Sequence, residues 1–296
     1  MLFNSLSFLI FFPVVITLYF LTPQKWRWLL LLAASYFFYM SWRPAYIFLI
    51  LISTGIDYFA GRRMGQLSEK RDRRKYLILS LVVNLGLLAV FKYFNFFNDS
   101  IQTVLNSAGI GWYIPRFELL LPVGISFYTF QTLSYSIDVY RGTTKPEKHL
   151  GIFALYVAFW PQLVAGPIER SSQLLPQFRR HVDFDYDRVR GGLMRMLWGF
   201  FMKLVIADRL AVYVNAVYNH PHEYSGLPIV VATFFFAFQI YCDFAGYTNI
   251  AIGSAKVMGF DLMENFKRPY FSQSIPEFWH RWHISLSSWF RDYVNI

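Results

Sequence analysis

The chain has 296 residues, of which 55% are hydrophobic, 21% aromatic and 16% charged, against about a quarter charged in an ordinary soluble domain. Its 32 Phe, 20 Tyr and 9 Trp are too many for one soluble core and fit a polytopic membrane protein, with aromatic side chains in the spans and at the interfaces. A formal charge of +10 reads as positive-inside loops and contact with the lipid bilayer, not as a nucleic-acid footprint, because the basic residues stand between apolar runs and not on one face.

A span needs about 20 mainly apolar residues. Candidate runs are Phe3–Leu21, Trp26–Ser41, Ala45–Ala60, Tyr76–Phe97, Leu119–Val139, the shorter Gly151–Gly166, then Gly192–Tyr218 and Leu227–Met258. The first run lacks a positive n-region and a small-residue cleavage site, so it reads as a retained membrane segment. The single cysteine, Cys242, excludes an internal disulfide and a Cys-rich metal site. In its apolar run it reads as a small buried hydrophobe.

Charge orders the loops. Arg62–Lys75 carries seven Lys/Arg and is expected to be cytoplasmic. Asn98–Glu118 carries one, Arg116, and is expected outside. Alternation then puts the N-terminus outside, and Lys25, Arg27, Arg141, Lys145 and Lys148 inside. The block Glu169–Arg190, with five arginines, also belongs inside. The simplest way to place it there is for Gly151–Pro167 to dip in and return. The WPQ and AGP breaks suit such a re-entrant element, since irregular backbone at membrane depth must be satisfied by protein or a water cavity. The expectation is an all-α polytopic transmembrane fold with re-entrant segments. It forms one membrane domain over 1–296, divided into N-terminal helices (1–150) and a core region (151–296).

The densest polar stretch is the last, Asn265–Ile296, which holds two of the six histidines and three of the nine tryptophans. Polar clusters at a membrane are costly, and chemistry is one reason to keep them. His280 and His283 are three apart and would share a face on a helix. Each reads either as a functional imidazole or as an interfacial side chain of an aromatic belt. HRWH lacks the spacing and third ligand of a catalytic zinc site, so no metal is expected. The Arg291-Asp292 pair reads as a brace for the re-entrant element, as an arginine facing a phosphate, or as a snorkelling surface pair.

Further polar dots lie inside apolar runs. Gln239, Asp243 and Tyr247 are spaced by four and face one way, with Asn249 nearby. They could wall a substrate path, or Asp243 could bond a Tyr or Lys on another helix. Ser126, Tyr128, Gln131, Ser134 and Asp138 dot Leu119–Val139 in the same manner, and interhelical hydrogen bonding is the equal alternative. Lys203 and Asp208-Arg209 sit toward the basic side, which suits a polyanionic ligand but also follows from positive-inside bias alone. GxGxxG and Walker patterns are absent.

Five segments, Leu120–Gly142, Phe159–Arg170, Gly199–Ala211, Phe238–Phe260 and Phe278–Val294, resemble the membrane-bound O-acyltransferase family in this order. The resemblance is closest to its bacterial branch of alginate O-acetylation and teichoic acid D-alanylation. It implies a central polar tunnel in the bacterial inner membrane. It also implies transfer of an acyl group, most simply acetyl from acetyl-CoA. The acceptor would be an extracytoplasmic polysaccharide hydroxyl or a partner transferase, and no cofactor would be resident. His283 matches the first histidine of the family, in its WHxS motif, and is the implied catalytic residue of this chain, helping to position or activate the acceptor hydroxyl in a role that the family's second histidine would share or lead. Trp279 and Trp282 would wall the site, with Gln131, Gln239, Asp243, Tyr247, Asn249 and Arg291 along the path. The family's second histidine lies beyond the RDY motif, so a chain ending at Ile296 is expected to be incomplete and inactive alone. A transporter or flippase for a lipid-linked sugar could use the same polar stripes, and covalent labelling of an acceptor separates the two.

Overall fold

The computed structural model of the chain describes residues 1–111, 113, 115, 122, 124–164 and 166–294. Thirteen α-helices occur among them, with no strand and one isolated bridge, Phe266 to Trp282. The N-terminal part holds α1 (Leu6–Leu21), α2 (Gln24–Met40), α3 (Ile47–Met64), α4 (Lys70–Ser107) and α5 (Ile125–Arg141). Then come the short α6 (Leu150–Ala158), α7 (Trp160–Leu163) and α8 (Ser171–Leu174). A long hairpin follows, α9 (Tyr186–Phe200) and α10 (Asp208–Asn219) against α11 (Leu227–Val257), and the chain closes with α12 (Ile275–Arg281) and α13 (Ile284–Tyr293). By length and composition three helices among the described residues can cross a membrane: Pro44–Met64, Lys70–Ser107 and Leu227–Val257. This is an all-α, multi-pass membrane fold.

Two segments differ from the sequence expectation. Asn98–Glu118 is not loop from its start: α4 runs to Ser107 and Asn98 is buried. The helix continues because its polar residues are spaced among Phe96, Phe97, Ile101 and Val104, and nothing before Gly109 breaks it. Arg116 and residues 119–121 and 123 of Leu119–Val139 lie outside the described residues. Gly192–Tyr218 is not one α-helix: it begins at Tyr186 and contains a π-helical turn, Phe201–Ala207.

Segments that charge assigns to one side do meet. Gln24 Nε2 donates to the Arg180 carbonyl at 2.8 Å, and Arg27 donates to the Val182 carbonyl. The Tyr58 hydroxyl donates to the Lys148 carbonyl at 2.7 Å. Glu147 and Arg179, before α6 and after α8, pair at 2.6 Å. The chain therefore enters and leaves α6–α8 at neighbouring points, as a re-entrant element must. At nine and four residues, α6 and α7 are each too short to cross.

The break between them is held from three sides. Gln131 Nε2 and Gln162 Nε2 donate to the Tyr156 carbonyl at 2.6 and 3.0 Å, and the Trp160 amide donates to Ser35 Oγ at 3.1 Å. These side chains replace helix hydrogen bonds that Phe159, at ψ 109, cannot support. Gln131 is thus a cap for the broken helix. Trp160 is fully buried among Phe3, Phe8, Phe11 and Phe38.

Helices α3, α4 and α5 are joined by a buried carboxylate that sequence reading did not single out. Asp57 accepts from Asn84 Nδ2 at 3.0 and 2.9 Å and from Ser80 and Ser136. Every donor is neutral, so the group is satisfied by hydrogen bonds and not by a counter-charge.

Candidate functional site

The last thirty residues form a compact knot. Ser274 caps α12 by accepting from the Glu277 amide at 3.3 Å, and Glu277 accepts from the Gln273 amide at 2.7 Å. That is close to the reciprocal capping pattern of S-x-x-E. The helix stops at Arg281 because the chain then pairs with 265–267. Lys267 N donates to Arg281 O at 2.9 Å, and Ile284 N donates to Asn265 O at 3.0 Å. Between those bonds His283 takes a left-handed conformation, φ 44 and ψ 54. That conformation costs a non-glycine residue about 1–2 kcal/mol. His283 then opens α13, its carbonyl accepting from the Leu286 and Ser287 amides.

The turn aims the imidazole inward. It stacks on Phe127 of α5 at 6.2 Å and meets the edge of Phe244 of α11 at 4.7 Å. Nδ1 lies 3.4 Å from Asn265 Oδ1. Burial pushes the ring down to about 4, so it is neutral at physiological pH. His280 does not share this environment. The helix ends before His283, so the i,i+3 pairing fails, and exposed His280 bonds the Pro276 carbonyl of its own helix at 2.8 Å.

Three successive residues after the re-entrant element reach three parts of the knot. The Ile168 amide donates to Ser285 Oγ at 3.0 Å. Glu169 Oε1 accepts from the Met263 amide at 2.6 Å. Arg170 pairs with Asp292 at 3.0 Å and lies over the Tyr293 ring at 4.7 Å. From α5, Asp138 accepts from the Tyr293 hydroxyl at 2.9 Å, and the Phe130 carbonyl accepts from Trp289 Nε1 at 2.9 Å. Asp292 therefore tethers the re-entrant segment, with Arg170 as its partner. The Arg291 side chain is 59% exposed and 3.7 Å from Asp292.

The other sequence candidates fall in two groups. Trp282 stacks on Phe278 at 5.5 Å and meets Phe266 edge-on, and Phe266 in turn contacts Phe244. An aromatic row thus runs from α12 to His283. Trp279 is 53% exposed at its outer end. Asp243 faces the hairpin, where Lys203 of the π-helical turn pairs with it at 2.6 Å and with Asp208 at 2.8 Å. The Tyr247 hydroxyl donates to Asn4 Oδ1 at 3.1 Å, and its ring lies 5.4 Å from Lys203 Nζ. Asn249 accepts from Arg195 Nε at 3.0 Å, and Arg195 also grips Glu264 with two bonds. Gln239 is half-buried on α11. Neighbours on a helix point apart, so Phe244 meets His283 while Asp243 meets Lys203.

Residues 149–295 match the family described as MBOAT, membrane-bound O-acyltransferase. The chain belongs to this family. It is 44% identical to the "Probable alginate O-acetylase AlgI" of Pseudomonas aeruginosa, over 100% of this chain and 57% of that protein. It is 32% identical to the "Peptidoglycan O-acetyltransferase" of Helicobacter pylori, over 100% and 61%. It is 31% identical to the "Teichoic acid D-alanyltransferase" of Bacillus subtilis, over 61% and 46%. The chain spans less than two thirds of the length of these relatives.

All of the tether residues (Ile168, Glu169, Arg170, Asn265, Ser285, Asp292) fall within the family-matched region, as does His283. Sequence reading passed over Asn265, Glu169 and Arg170 as site members. The available signal was that Glu169-Arg170 ends one of the resembling segments and Asn265 starts the polar block.

Glu169 carries a testable consequence for this family member. It is fully buried, and that burial pushes its carboxyl up to about 8, against the lowering effect of the Met263 amide and Arg170. A raised carboxyl keeps its proton in the fold and loses it in the unfolded chain. Its contribution is fully present below the unfolded value of about 4.3 and is lost as pH rises through about 8. Glu169→Gln keeps the acceptor for Met263 and removes the titration. The variant in detergent is expected to lose less thermal stability than wild type between about pH 5 and pH 8. Parallel melting curves across that range would show that Glu169 does not titrate with folding.

Proposed function

We propose that this chain is part of the acyl-transfer region of a membrane O-acyltransferase, with His283 as a general base in a role that the family's second histidine would share or lead. The observation that carries the reading is the half-buried imidazole of His283. A left-handed turn holds it between Phe127 and Phe244, within the family-matched region. Only an unprotonated ring can accept a proton, and burial keeps it unprotonated.

In the step we propose, His283 Nε2 takes the proton of an acceptor hydroxyl as that oxygen attacks the carbonyl of an acyl thioester. The carbonyl π pair moves to oxygen, then returns as the carbon–sulfur bond breaks. The departing thiolate takes the proton back from the imidazolium. Acetyl-CoA is the donor this reading favours. Two of the relatives are named as O-acetyl-transferring proteins, and the basic loops around Arg62–Lys75 and Glu169–Arg190 suit a polyanionic donor on the cytoplasmic side. The acceptor is a hydroxyl of an extracytoplasmic polysaccharide, reached directly or through a partner transferase, in the bacterial inner membrane.

The test is covalent. Membranes containing the full-length protein and its acceptor are given acetyl-CoA labelled in the acetyl group. Label is expected in an ester-linked form on polymer or partner, released by mild base. Label that never leaves the donor, together with movement of unmodified glycan across the membrane, would sink the transferase reading.

A further inference from the structure

We propose that Asn265 is the positioning residue that fixes the tautomer of His283. It is held for that task by a hydrogen-bond chain running through Ser285 to the Ile168 backbone, just after the re-entrant element. The inference rests on His283 being the base.

The atoms leave one assignment. The Ser285 amide lies 3.2 Å from the Asn265 atom in question and can only donate. That atom is therefore the amide oxygen, Oδ1. Ser285 Oγ, at 2.7 Å, gives its hydroxyl proton to the same oxygen, because its own lone pair receives the Ile168 amide at 3.0 Å. His283 Nδ1 faces this oxygen at 3.4 Å. An unprotonated Nδ1 would set lone pair against lone pair, so Nδ1 carries the proton. In a neutral ring Nε2 is then the basic nitrogen. The chain reads Ile168 N–H to Ser285 Oγ–H to Asn265 Oδ1, with His283 Nδ1–H arriving from the other side.

Burial makes the arrangement specific. Asn265 and Ser285 are both fully buried, so water does not compete for either group. The contact at 3.4 Å is long for a neutral ring. It shortens and strengthens once Nε2 gains a proton, because a cationic donor bonds more tightly. Asn265 thus stabilises the imidazolium only when the reaction forms it.

The groups packed around the ring do not obscure a pH readout. Phe127 faces it from α5, Phe244 from α11, and Asn265 and Ser285 from the terminal knot. Among the described residues burial alone shifts its proton affinity, with no charged side chain contributing.

The experiment compares pH–rate profiles of acetyl transfer by the full-length protein with those of Asn265→Asp, Asn265→Leu, Ser285→Ala and His283→Asn. Asn265→Asp keeps an acceptor for Nδ1–H and adds a negative charge. It should stay active, with the acid limb moved upward by about one unit or more. Asn265→Leu should lose about 100-fold in kcat with KM little changed. Ser285→Ala leaves Asn265 in place and should cost less than Asn265→Leu. In protein with 15N-labelled histidine, the His283 signals should show protonated Nδ1 in wild type, and should lose that preference in Asn265→Leu. An unmoved acid limb in Asn265→Asp, or a loss as large as in Asn265→Leu, would overturn the positioning role and leave Asn265 a structural residue. Full activity of His283→Asn would overturn the base itself, an outcome separable from the other two.

Discussion

Replacing His283 by Asn in the full-length protein is expected to lower acyl transfer by about 100- to 10,000-fold. The loss should fall on kcat and not on KM, because the proton is accepted only as the transition state forms. Asn is the informative replacement for a structural reason. The position has φ 44, and Asn tolerates the left-handed region better than most residues. His283→Ala would add a backbone cost there and leave a cavity between Phe127 and Phe244, so a lost activity could be a lost fold. His283→Asn leaves the turn into α13 intact, with the carbonyl still accepting from Leu286 and Ser287. Melting temperature in detergent measures that integrity beside the rate. A variant that keeps more than about a tenth of the wild-type kcat would remove His283 from the base's role, since general bases contribute about 100-fold or more.

How far the sequence could be read depends on the range of the interaction. Apolar runs mark helices because each residue reports its own environment, so the runs starting at Phe3, Trp26, Ala45, Tyr76 and Leu227 all lie on helices. The dip at Gly151–Pro167 was legible from loop charge together with WPQ and AGP, both local signals. The partners that close the dip were not, since Gln131 is 25 residues from Tyr156 and Ser35 is 125 from Trp160. The same holds for the site. Asp292 could be named as a brace, but its partner Arg170 stands 122 residues away. Asp57 was invisible because one acid in ISTGIDYF says nothing of the Ser80, Asn84 and Ser136 that surround it. His280 and His283 do not share a face because the helix end at Arg281 is set by strand-like pairing with Asn265–Lys267, a tertiary contact. Asp243 carried two readings, and the structure supplies Lys203 as its interhelical partner.

The second large effect is expected in the seam between α9 and α11. Two glycine pairs face each other there, antiparallel and seven residues apart on each helix: Gly192 with Gly253, and Gly199 with Gly246. A Cβ on Gly199 would lie 2.6 Å from the Gly246 carbonyl oxygen, and one on Gly246 would lie 2.9 Å from the Gly199 oxygen. Gly192 and Gly253 repeat this at 2.7 and 2.6 Å. These obstacles are backbone, which cannot swing aside as a flexible side chain can. Association of membrane helices relies on such close approach, because lipid is as apolar as the helix surface and gives no hydrophobic drive. Gly199→Ala should therefore cost about 1–3 kcal/mol of stability. Gly199→Leu should separate the helices enough to lose the Arg195–Asn249 and Lys203–Asp243 contacts that bridge the same hairpin. Gly86 is the control: it is also inside a helix, α4, but among the described residues nothing beyond its own helix turn and chain neighbours lies within 4 Å of its Cβ position. Gly86→Ala should be neutral or stabilising by up to about 1 kcal/mol, since alanine favours helix over glycine. The measurement is the detergent melting temperature of each variant. Equal effects of the Gly199 and Gly86 alanine substitutions would show that the seam tolerates a methyl group, and that the hairpin is held by its polar bridges instead. A large difference would place the stability of the hairpin in backbone contact. Phe244 belongs to the same helix as the seam, so a displaced α11 would also withdraw one wall from His283.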